Sequence, residues 1–315
     1  MWKQCGSTVL VSGATGFIGT ALVQDLATRG FRVIGASRAS ATETAPGCPV
    51  RKLPSPTTSS DDEFEALVEE VDHVVHLAGL AHTRIKNDAA NAYHQANTAL
   101  SERLARAAAK RLTGKFVLMS SIRAQCGAFA NQFVLETDAA QPTDFYGQSK
   151  LAAEKAVVAA LKPQHFTILR PVVVYGQGVR GNFGHLLTLA RLPIPLPIAG
   201  LTRRRSILAR SSLCRAIAHC LTTSETDGRI FNVADKSPLT IGEIIMALRQ
   251  GFNKRDLIFP CPPNLLKQGA HLFGQTQRWE AFSGGLVVSA DALEKTGWRP
   301  VTDTLVELRQ LASDL

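Results

Sequence analysis

The chain carries Thr8-Val-Leu-Val-Ser-Gly-Ala-Thr-Gly-Phe-Ile-Gly19 near its start, and this segment sets the architecture. It reads as a short apolar strand, Val9–Ser12, then a glycine-rich turn, then a helix that runs to about Arg29. Glycines let such a turn approach a pyrophosphate, and the helix N-terminus offers N–H groups and partial positive charge to it. Small residues also serve close helix–strand packing, but the strand–turn–helix order favours a dinucleotide site. Its predicted residues are Gly13, Thr15, Gly16, Phe17, Ile18 and Gly19.

The first half of the chain alternates short apolar runs with amphipathic segments, which is typical of parallel βαβ units. Phe64, Leu67, Val68 and Val71 recur at helical spacing and predict one helix face, and the Ala- and Leu-rich residues 92–110 predict a long helix. The strand-like runs do not alternate in polarity, as expected of strands buried on both faces. The pattern predicts an α/β fold with a doubly wound parallel Rossmann sheet. The strand-like runs are Val9–Ser12, Arg32–Ala36, Val74–Ala78, Phe116–Ser120 and Thr167–Arg170.

The pattern changes after Pro171, where Pro and Gly become frequent and the helix and strand signals become shorter. Thr240 and Glu243 have the spacing of a capping box for a helix through Leu248. We therefore predict a dinucleotide-binding Rossmann domain over residues 1–173 and a smaller, mixed substrate-binding region over 174–315. Part of the second region is expected to pack back on the first domain.

The composition bounds the class of protein. Of 315 residues, 45% are hydrophobic and 19% charged, as in ordinary folded soluble proteins, and no apolar run is long enough to span a membrane. The strand-like segment begins too early to leave room for a signal peptide, so we expect a cytoplasmic protein without a membrane partner. Six scattered cysteines and eight histidines without ligand spacing predict neither a disulfide framework nor a metal site.

The formal net charge of +9 fits either a nucleic-acid surface or a pocket for phosphate-rich small molecules. The positive residues are spread out, except for Arg203-Arg-Arg205, and no aromatic residues are interleaved with them. This distribution favours the small-molecule pocket and no nucleic-acid partner.

The end of the second predicted strand bears on which dinucleotide binds. An Asp or Glu at this position would bind the ribose 2′-hydroxyl of NAD. The chain has Ser37 and Arg38 instead. A small residue followed by a guanidinium suits the 2′-phosphate of NADP, whereas the alternative is that Arg38 only stacks on adenine. The pair favours NADP, with NAD as the other candidate.

Tyr146-Gly-Gln-Ser-Lys150 places a phenol and an ammonium on one helix face. The ammonium and a positive nicotinamide ring should lower the pKa of the phenol, so that Tyr146 can move a hydroxyl proton as hydride moves. The alternative is a packed tyrosine and a surface lysine. Met119-Ser-Ser-Ile-Arg123 ends a strand, where ligands of doubly wound sheets bind, and Ser121 would hold the reacting oxygen toward Tyr146.

Together these motifs resemble the extended short-chain dehydrogenase/reductases, the NAD-dependent epimerase/dehydratase family, over nearly the whole chain. The resemblance also includes His76-Leu-Ala-Gly79, Asn97, Arg170-Pro-Val-Val-Val-Tyr-Gly176 and Ser289-Ala-Asp-Ala-Leu-Glu-Lys-Thr-Gly-Trp-Arg-Pro300. It implies that Ser121, Tyr146 and Lys150 are catalytic and that Lys150 also holds the nicotinamide ribose. The further cofactor-binding residues that it implies are Leu77, Ala78, Gly79, Asn97, Pro171 and Val173.

The resemblance implies a nucleotide-sugar substrate. Asn182 and Arg205 match the family's Asn and Arg that hold the diphosphate of UDP-sugars, although a solvated basic run is the alternative for Arg205. His82 and Arg123 complete the candidate substrate-binding residues. A homodimer is usual in the family, a state that the residues themselves do not determine.

Three departures from the family pattern narrow the reaction. The family's Asp after the third strand is absent from Lys52-Leu-Pro-Ser-Pro-Thr57, and Gln125-Cys-Gly127 replaces a Tyr-Gly pair. Ile122 and Arg123 replace the acidic pair of the dehydratases, which argues against elimination of water. Ser-Ser-Ile-Arg instead resembles bacterial 4-keto-reductases and 4-epimerases that act on UDP-N-acetyl sugars.

We therefore expect an enzyme that transfers hydride at C4 of a UDP-sugar for polysaccharide synthesis, either a 4-epimerase or a 4-keto-reductase. Two alternatives come from other classes: a catalytically silent NAD(P)-sensing module, and a reductase of small carbonyl compounds without a nucleotide handle.

Overall fold

The computed structural model describes residues 6–38, 43–45, 47–81, 88–272, 274, 279, 282–300 and 303–315. The strands are β1 Thr8–Ser12, β2 Arg32–Ser37, β3 Glu43–Ala45, β4 Cys48–Lys52, β5 His73–His76, β6 Phe116–Met119, β7 Phe166–Pro171, β8 Val173–Tyr175, β9 Arg204–Arg205, β10 Ile207–Ala209, β11 Arg229–Val233 and β12 Leu239–Thr240. The α-helices are α1 Phe17–Thr28, α2 Asp61–Leu67, α3 Ala89–Tyr93, α4 Leu100–Arg111, α5 Phe145–Ala160, α6 Gly181–Arg191, α7 Arg210–Thr222, α8 Ile241–Gly251, α9 Pro263–Leu272, α10 Asp291–Glu294 and α11 Thr304–Ser313.

The central sheet has the order β11-β7-β6-β5-β1-β2-β4-β3, and every neighbouring pair is parallel except β3 with β4. Along β1, Val9 and Val11 enter one hydrophobic cluster and Leu10 enters another, so both faces of the sheet are covered. This explains the unalternating apolar runs in the sequence. The predicted doubly wound α/β fold is confirmed.

Helices cover the sheet on both faces. The first cluster includes residues of α1 and α7, and the second includes residues of α2, α4 and α5. The helix predicted over residues 92–110 is a continuous run of α3, a π-helical segment His94–Ala99, and α4. The helix α2 ends at Leu67, yet Val68 and Val71 beyond it lie in the same cluster as Phe64.

The segment after β7 builds a smaller lobe with its own core, drawn from α6, α8 and α11. Two short sheets belong to it, parallel β8–β10 and antiparallel β9–β12. The capping box predicted from Thr240 and Glu243 is present at the start of α8. The strand β11 returns to the central sheet beside β7, so a segment from the second half contributes to the first. The domain boundary at residue 173 remains a prediction.

Three further observations concern the described part of the chain. None of its helices combines the length and apolarity needed to cross a bilayer. Its histidines, cysteines and carboxylates do not form a group of three or more that would hold a metal ion. The thiols of Cys126, Cys214, Cys220 and Cys261 are free.

Candidate active site

The glycine turn joins β1 to α1. Gly13 has φ +74°, and its carbonyl accepts a 3.0 Å hydrogen bond from the N–H of Gly16. A Cβ on Gly19 would lie 2.2 Å from that carbonyl oxygen, which requires glycine there. Gly16 is the N-cap of α1, and no described side chain caps this helix start. Its first N–H groups therefore point out of a turn that exposes Thr15 and Gly16, a geometry that fits a pyrophosphate.

The carboxyl end of β2 lies beside this turn. Ser37 is buried, with its hydroxyl 3.2 Å from that of Thr15, and Arg38 is exposed. The two residues therefore flank the turn, as the proposed ribose contact requires. Phe17 and Ile18 are half-buried in the first turn of α1, and Ile18 packs against the core.

The end of β5 forms the opposite side. The His76 ring bridges two hydroxyls, with 2.6 Å to Ser12 and 3.0 Å to Ser101. Burial lowers the pKa of His76 to about 3, so the ring is neutral. The strand ends at His76, before the predicted Ala78, because the Ala78 N–H donates 3.2 Å to the Ser12 hydroxyl instead of continuing the ladder. Leu77 and Ala78 are half-buried and Gly79 is exposed, so this backbone is accessible to a ligand.

Asn97 lies in the π-helical segment and is fully buried. Its amide oxygen accepts a 2.7 Å bond from the Leu80 N–H, and its amide nitrogen donates to the Leu80 carbonyl (3.1 Å) and the Ser149 hydroxyl (2.9 Å). Asn97 thereby ties the loop after β5 to α5. Gly79 lies directly against Asn97 and Lys150, without room for a side chain.

Ser121, Tyr146 and Lys150 come together at the carboxyl end of β6. The Ser121 side chain hydrogen-bonds the Tyr146 phenol, and the buried Lys150 ammonium donates 3.0 Å to the Met119 carbonyl. The helix α5 can approach this loop because its Gly147 lies on the Arg123 carbonyl, 2.2 Å from where a Cβ would be. Burial lowers the pKa of Lys150 to about 8, so the ammonium predominates at neutral pH.

The lowering of the Tyr146 pKa, expected from Lys150 and a positive nicotinamide ring together, is not present in the protein alone. Burial raises the pKa of Tyr146, and the opposing effects come from the Ser121 hydrogen bond and the charge of Arg123. The physical reason is that neighbouring protein atoms displace solvent from the phenol of the half-buried Tyr146, while the Lys150 ammonium is directed at a carbonyl of β6. At neutral pH Tyr146 is therefore a phenol, the form that donates a proton.

The predicted substrate-side residues lie on several elements. Arg123 forms an ion pair with Asp144, the N-cap of α5. Arg205 donates a 2.7 Å hydrogen bond to the Phe282 carbonyl and a further one to the Gly284 carbonyl. Burial lowers the pKa of Arg205 to about 10. Asn182 is exposed in the first turn of α6. His82 lies outside the described residues.

Two predicted nicotinamide neighbours follow β7. Pro171 ends that strand and is buried, while Val173 begins β8 and is 42% exposed. Pro171 thus lies at the carboxyl edge of the central sheet, at the end of the strand next to β6, and Val173 follows it in the short β8–β10 sheet.

Comparison with known proteins places the chain. The profile of the "NAD dependent epimerase/dehydratase family" matches residues 9–234. The chain belongs to this family. The predicted resemblance is thus confirmed, and so is a nicotinamide dinucleotide, NAD or NADP, as its cofactor.

Individual relatives of this family member cover nearly its whole length. It is 30% identical over 305 residues to the UDP-glucose 4-epimerase of Vibrio cholerae, which covers 95% of this chain and 92% of the relative. The human epimerase family protein SDR39U1, solved with NADPH, is 24% identical with a TM-score of 0.77, covering 98% and 100%. The UDP-glucose 4-epimerase of Thermus thermophilus, solved with NAD, is 24% identical with a TM-score of 0.74, covering 98% of both chains.

Two residues at the candidate site were not predicted from the sequence. Arg210 donates to the carbonyls of Phe17 (3.2 Å) and Gln177 (2.8 Å) and lies over the Phe17 ring, so it joins α1 to the loop after β8. The Tyr93 ring lies 5.9 Å from that of Tyr146. Neither residue belongs to a motif, and no local spacing signals either contact.

Proposed function

We propose that this protein transfers hydride at C4 of a UDP-linked sugar, as a 4-epimerase or 4-keto-reductase that supplies polysaccharide precursors. The observation that carries the proposal is the Ser121 hydroxyl bonded to the half-buried Tyr146 phenol, one helical turn from the Lys150 ammonium. This group lies where the carboxyl ends of parallel strands meet, the usual ligand position in a doubly wound sheet. A catalytically silent NAD(P)-sensing module would need none of these three side chains, so the presence of all three favours an enzyme.

The residues divide the work of proton transfer. Tyr146 would donate its proton to a sugar carbonyl oxygen during reduction and, as the phenolate, would take one from a hydroxyl during oxidation. Ser121 holds that oxygen toward the phenol, and Lys150 holds the ribose beside Gly79. When bound, the nicotinamide ring supplies or accepts the hydride.

Cationic and amide side chains support a nucleotide diphosphate handle. Arg205 is a half-buried arginine in β9, Asn182 lies at the exposed N-terminal turn of α6, and Arg123 lies beside the Tyr146 end of α5. Guanidinium groups and helix N-termini both favour phosphate oxygens. The Vibrio cholerae relative, named a UDP-glucose 4-epimerase, favours the same substrate class.

The cofactor that we propose is NADP, from the positions of Ser37 and Arg38. Ser37 is small and already bonded to Thr15, and the exposed Arg38 guanidinium is available at the end of β2. A carboxylate at that point would repel a 2′-phosphate. An exchangeable NADP suits a reductase, and a retained NAD suits an epimerase, so the cofactor found in purified protein separates the two reactions.

The test is turnover of a panel of UDP-hexoses and their 4-keto forms with NAD(H) or NADP(H), read by NMR of the products. Tyr146→Phe should lower kcat by about 10²–10⁴-fold, because the proton-transfer group is lost, while thermal stabilisation by NADPH is retained. Tyr93→Phe is the matched control, since it removes a hydroxyl from the neighbouring ring and should keep most activity. Full activity in Tyr146→Phe would disprove the role of Tyr146. Turnover of small aldehydes with no protection by UDP would favour the small-carbonyl reductase instead.

A further inference from the structure

A buried carboxylate lies one helical turn beyond Lys150 in α5. Glu154 is 2% exposed, and its two oxygens accept 2.9 Å and 2.6 Å hydrogen bonds from the Arg170 guanidinium, itself 5% exposed. The Ser120 hydroxyl donates to the same carboxylate. A buried, bidentate Arg–carboxylate ion pair fixes the relative orientation of the two side chains as well as their distance.

Each partner of Glu154 is the chain neighbour of a site residue. Ser120 precedes Ser121, and Arg170 precedes Pro171 at the end of β7. The Ser120 N–H also donates 2.8 Å to the Leu169 carbonyl, which ties the ends of β6 and β7 together. A single carboxylate therefore joins the helix of Tyr146 and Lys150 to the two strand ends that carry the other candidate groups.

The electrostatics of the site give this carboxylate a second effect. Lys150 is 6% exposed, and burial disfavours its ammonium, whereas the negative charge of Glu154 raises its pKa. In the described chain, the titratable or charged groups around Lys150 and Glu154 include His76 of β5, Arg170 of β7, and Tyr146 and Lys155 of α5. His76 is neutral and Arg170 is positive, so Glu154 is the negative charge in this set.

We propose that Glu154 is a positioning residue of the hydride-transfer site, which holds Ser121 and Lys150 in register and supplies the counter-charge of the buried ammonium. The expected change in turnover rests on the proposed function, whereas the expected change in the charge of Lys150 does not. An ion pair that serves only local packing, away from Lys150, would leave the charge of Lys150 unchanged when it is altered.

The direct test is the titration of Lys150, monitored by the carbon-13 NMR signal of its Cε in lysine-labelled protein. The signal is assigned by its absence in Lys150→Met. Glu154→Gln keeps the shape and an acceptor oxygen for Arg170 but removes the charge. The titration midpoint of Lys150 should fall by about one pH unit, since an opposite charge at this range shifts a pKa by about that much or more. Glu154→Asp retains the charge and should restore the midpoint.

Asp227→Asn is the control, because Asp227 pairs with the buried Lys115 away from the site, and its loss tests damage to such an ion pair alone. An unshifted Lys150 midpoint in Glu154→Gln, or an equal shift in Asp227→Asn, overturns the proposal. Turnover provides the second readout: the alkaline limb of the kcat profile should move to lower pH by the same amount in Glu154→Gln. A shifted Lys150 midpoint in a protein that turns over no UDP-sugar would reject the proposed function and keep the positioning role.

Discussion

The two halves of the molecule satisfy their buried polar groups in different ways. Around the glycine turn, buried side chains bond to other side chains as well as to the backbone, as in Ser12 with His76 and Asn97 with Ser149. In the C-terminal lobe, the buried Arg249 donates to three backbone carbonyls, those of Leu192 (3.0 Å), Ile194 (2.7 Å) and Leu257 (2.7 Å). Arg205 likewise donates to carbonyls.

This difference has a physical consequence. A side-chain partner restricts residue identity at both ends of the bond, whereas every residue offers a carbonyl. The first half should therefore be sensitive to changes at many motif positions, and the lobe should be sensitive chiefly at the guanidinium that joins its loops.

The largest effect is expected when a glycine is changed to alanine once in each half of the molecule. Gly19→Ala adds a methyl 2.2 Å from the Gly13 carbonyl oxygen, so the turn must shift. Overpacking of this kind should lower the free energy of unfolding by about 3 kcal/mol and weaken NADPH binding. Gly269→Ala in α9 meets nothing within 4 Å, and it should raise the free energy by up to about 1 kcal/mol through helix propensity. Urea unfolding measures the free energy of unfolding of each variant, and calorimetric titration measures its NADPH binding. Equal effects in the two variants would contradict the comparison.

The next effect tests the lobe. Arg249→Leu leaves three carbonyls without their charged donor and should lower the free energy of unfolding by about 2–3 kcal/mol. Arg309→Leu on α11 is the control, because Arg309 is exposed and bonds Gln250 at the surface, so its loss should stay within about 0.5 kcal/mol. Losses of similar size in urea unfolding would show that the carbonyl contacts do not hold the lobe.

The same difference explains what the sequence could predict. The parallel sheet, the glycine turn, the capping box at Thr240 and the convergence of Ser121 with Tyr146 follow from local spacing and strand order, and they are present. Arg249 and Arg210 could not be predicted, because their carbonyl partners carry no residue signature. The roles assigned to the site residues remain predictions.

Two further features depend on geometry that spacing does not encode. The π-helical turn that carries Asn97 differs from an α-turn by one shifted hydrogen bond, and such turns are frequent at functional sites. The pKa of Tyr146 depends on burial, which is a tertiary property, so a sequence argument from the Tyr–Lys spacing gave the wrong direction for the protein alone.

The smallest effect concerns two buried titratable groups with opposite pH responses. Burial lowers the pKa of His76 from 6.5 to about 3, so only the unfolded chain takes up its proton between pH 7 and pH 5, and stability falls. Burial raises the pKa of Asp235 from 3.8 to about 6, so over the same range the folded protein takes up the proton, and stability rises. Asp235 lies in the junction between the halves, where it accepts bonds from Tyr175 (3.1 Å) and the Ala209 N–H (2.9 Å).

Urea unfolding at pH 5 and pH 7 separates the two groups through the difference in free energy between these conditions. Relative to the natural chain, His76→Gln should reduce the stability gained on going from pH 5 to pH 7 by about 2 kcal/mol. Asp235→Asn should increase that gain by about 1 kcal/mol, because the cost of ionising a buried carboxyl is removed. Each variant serves as the control for the other, since general damage to the core would move both differences in one direction. Shifts of the same sign would show that burial does not govern the charge state of these two groups.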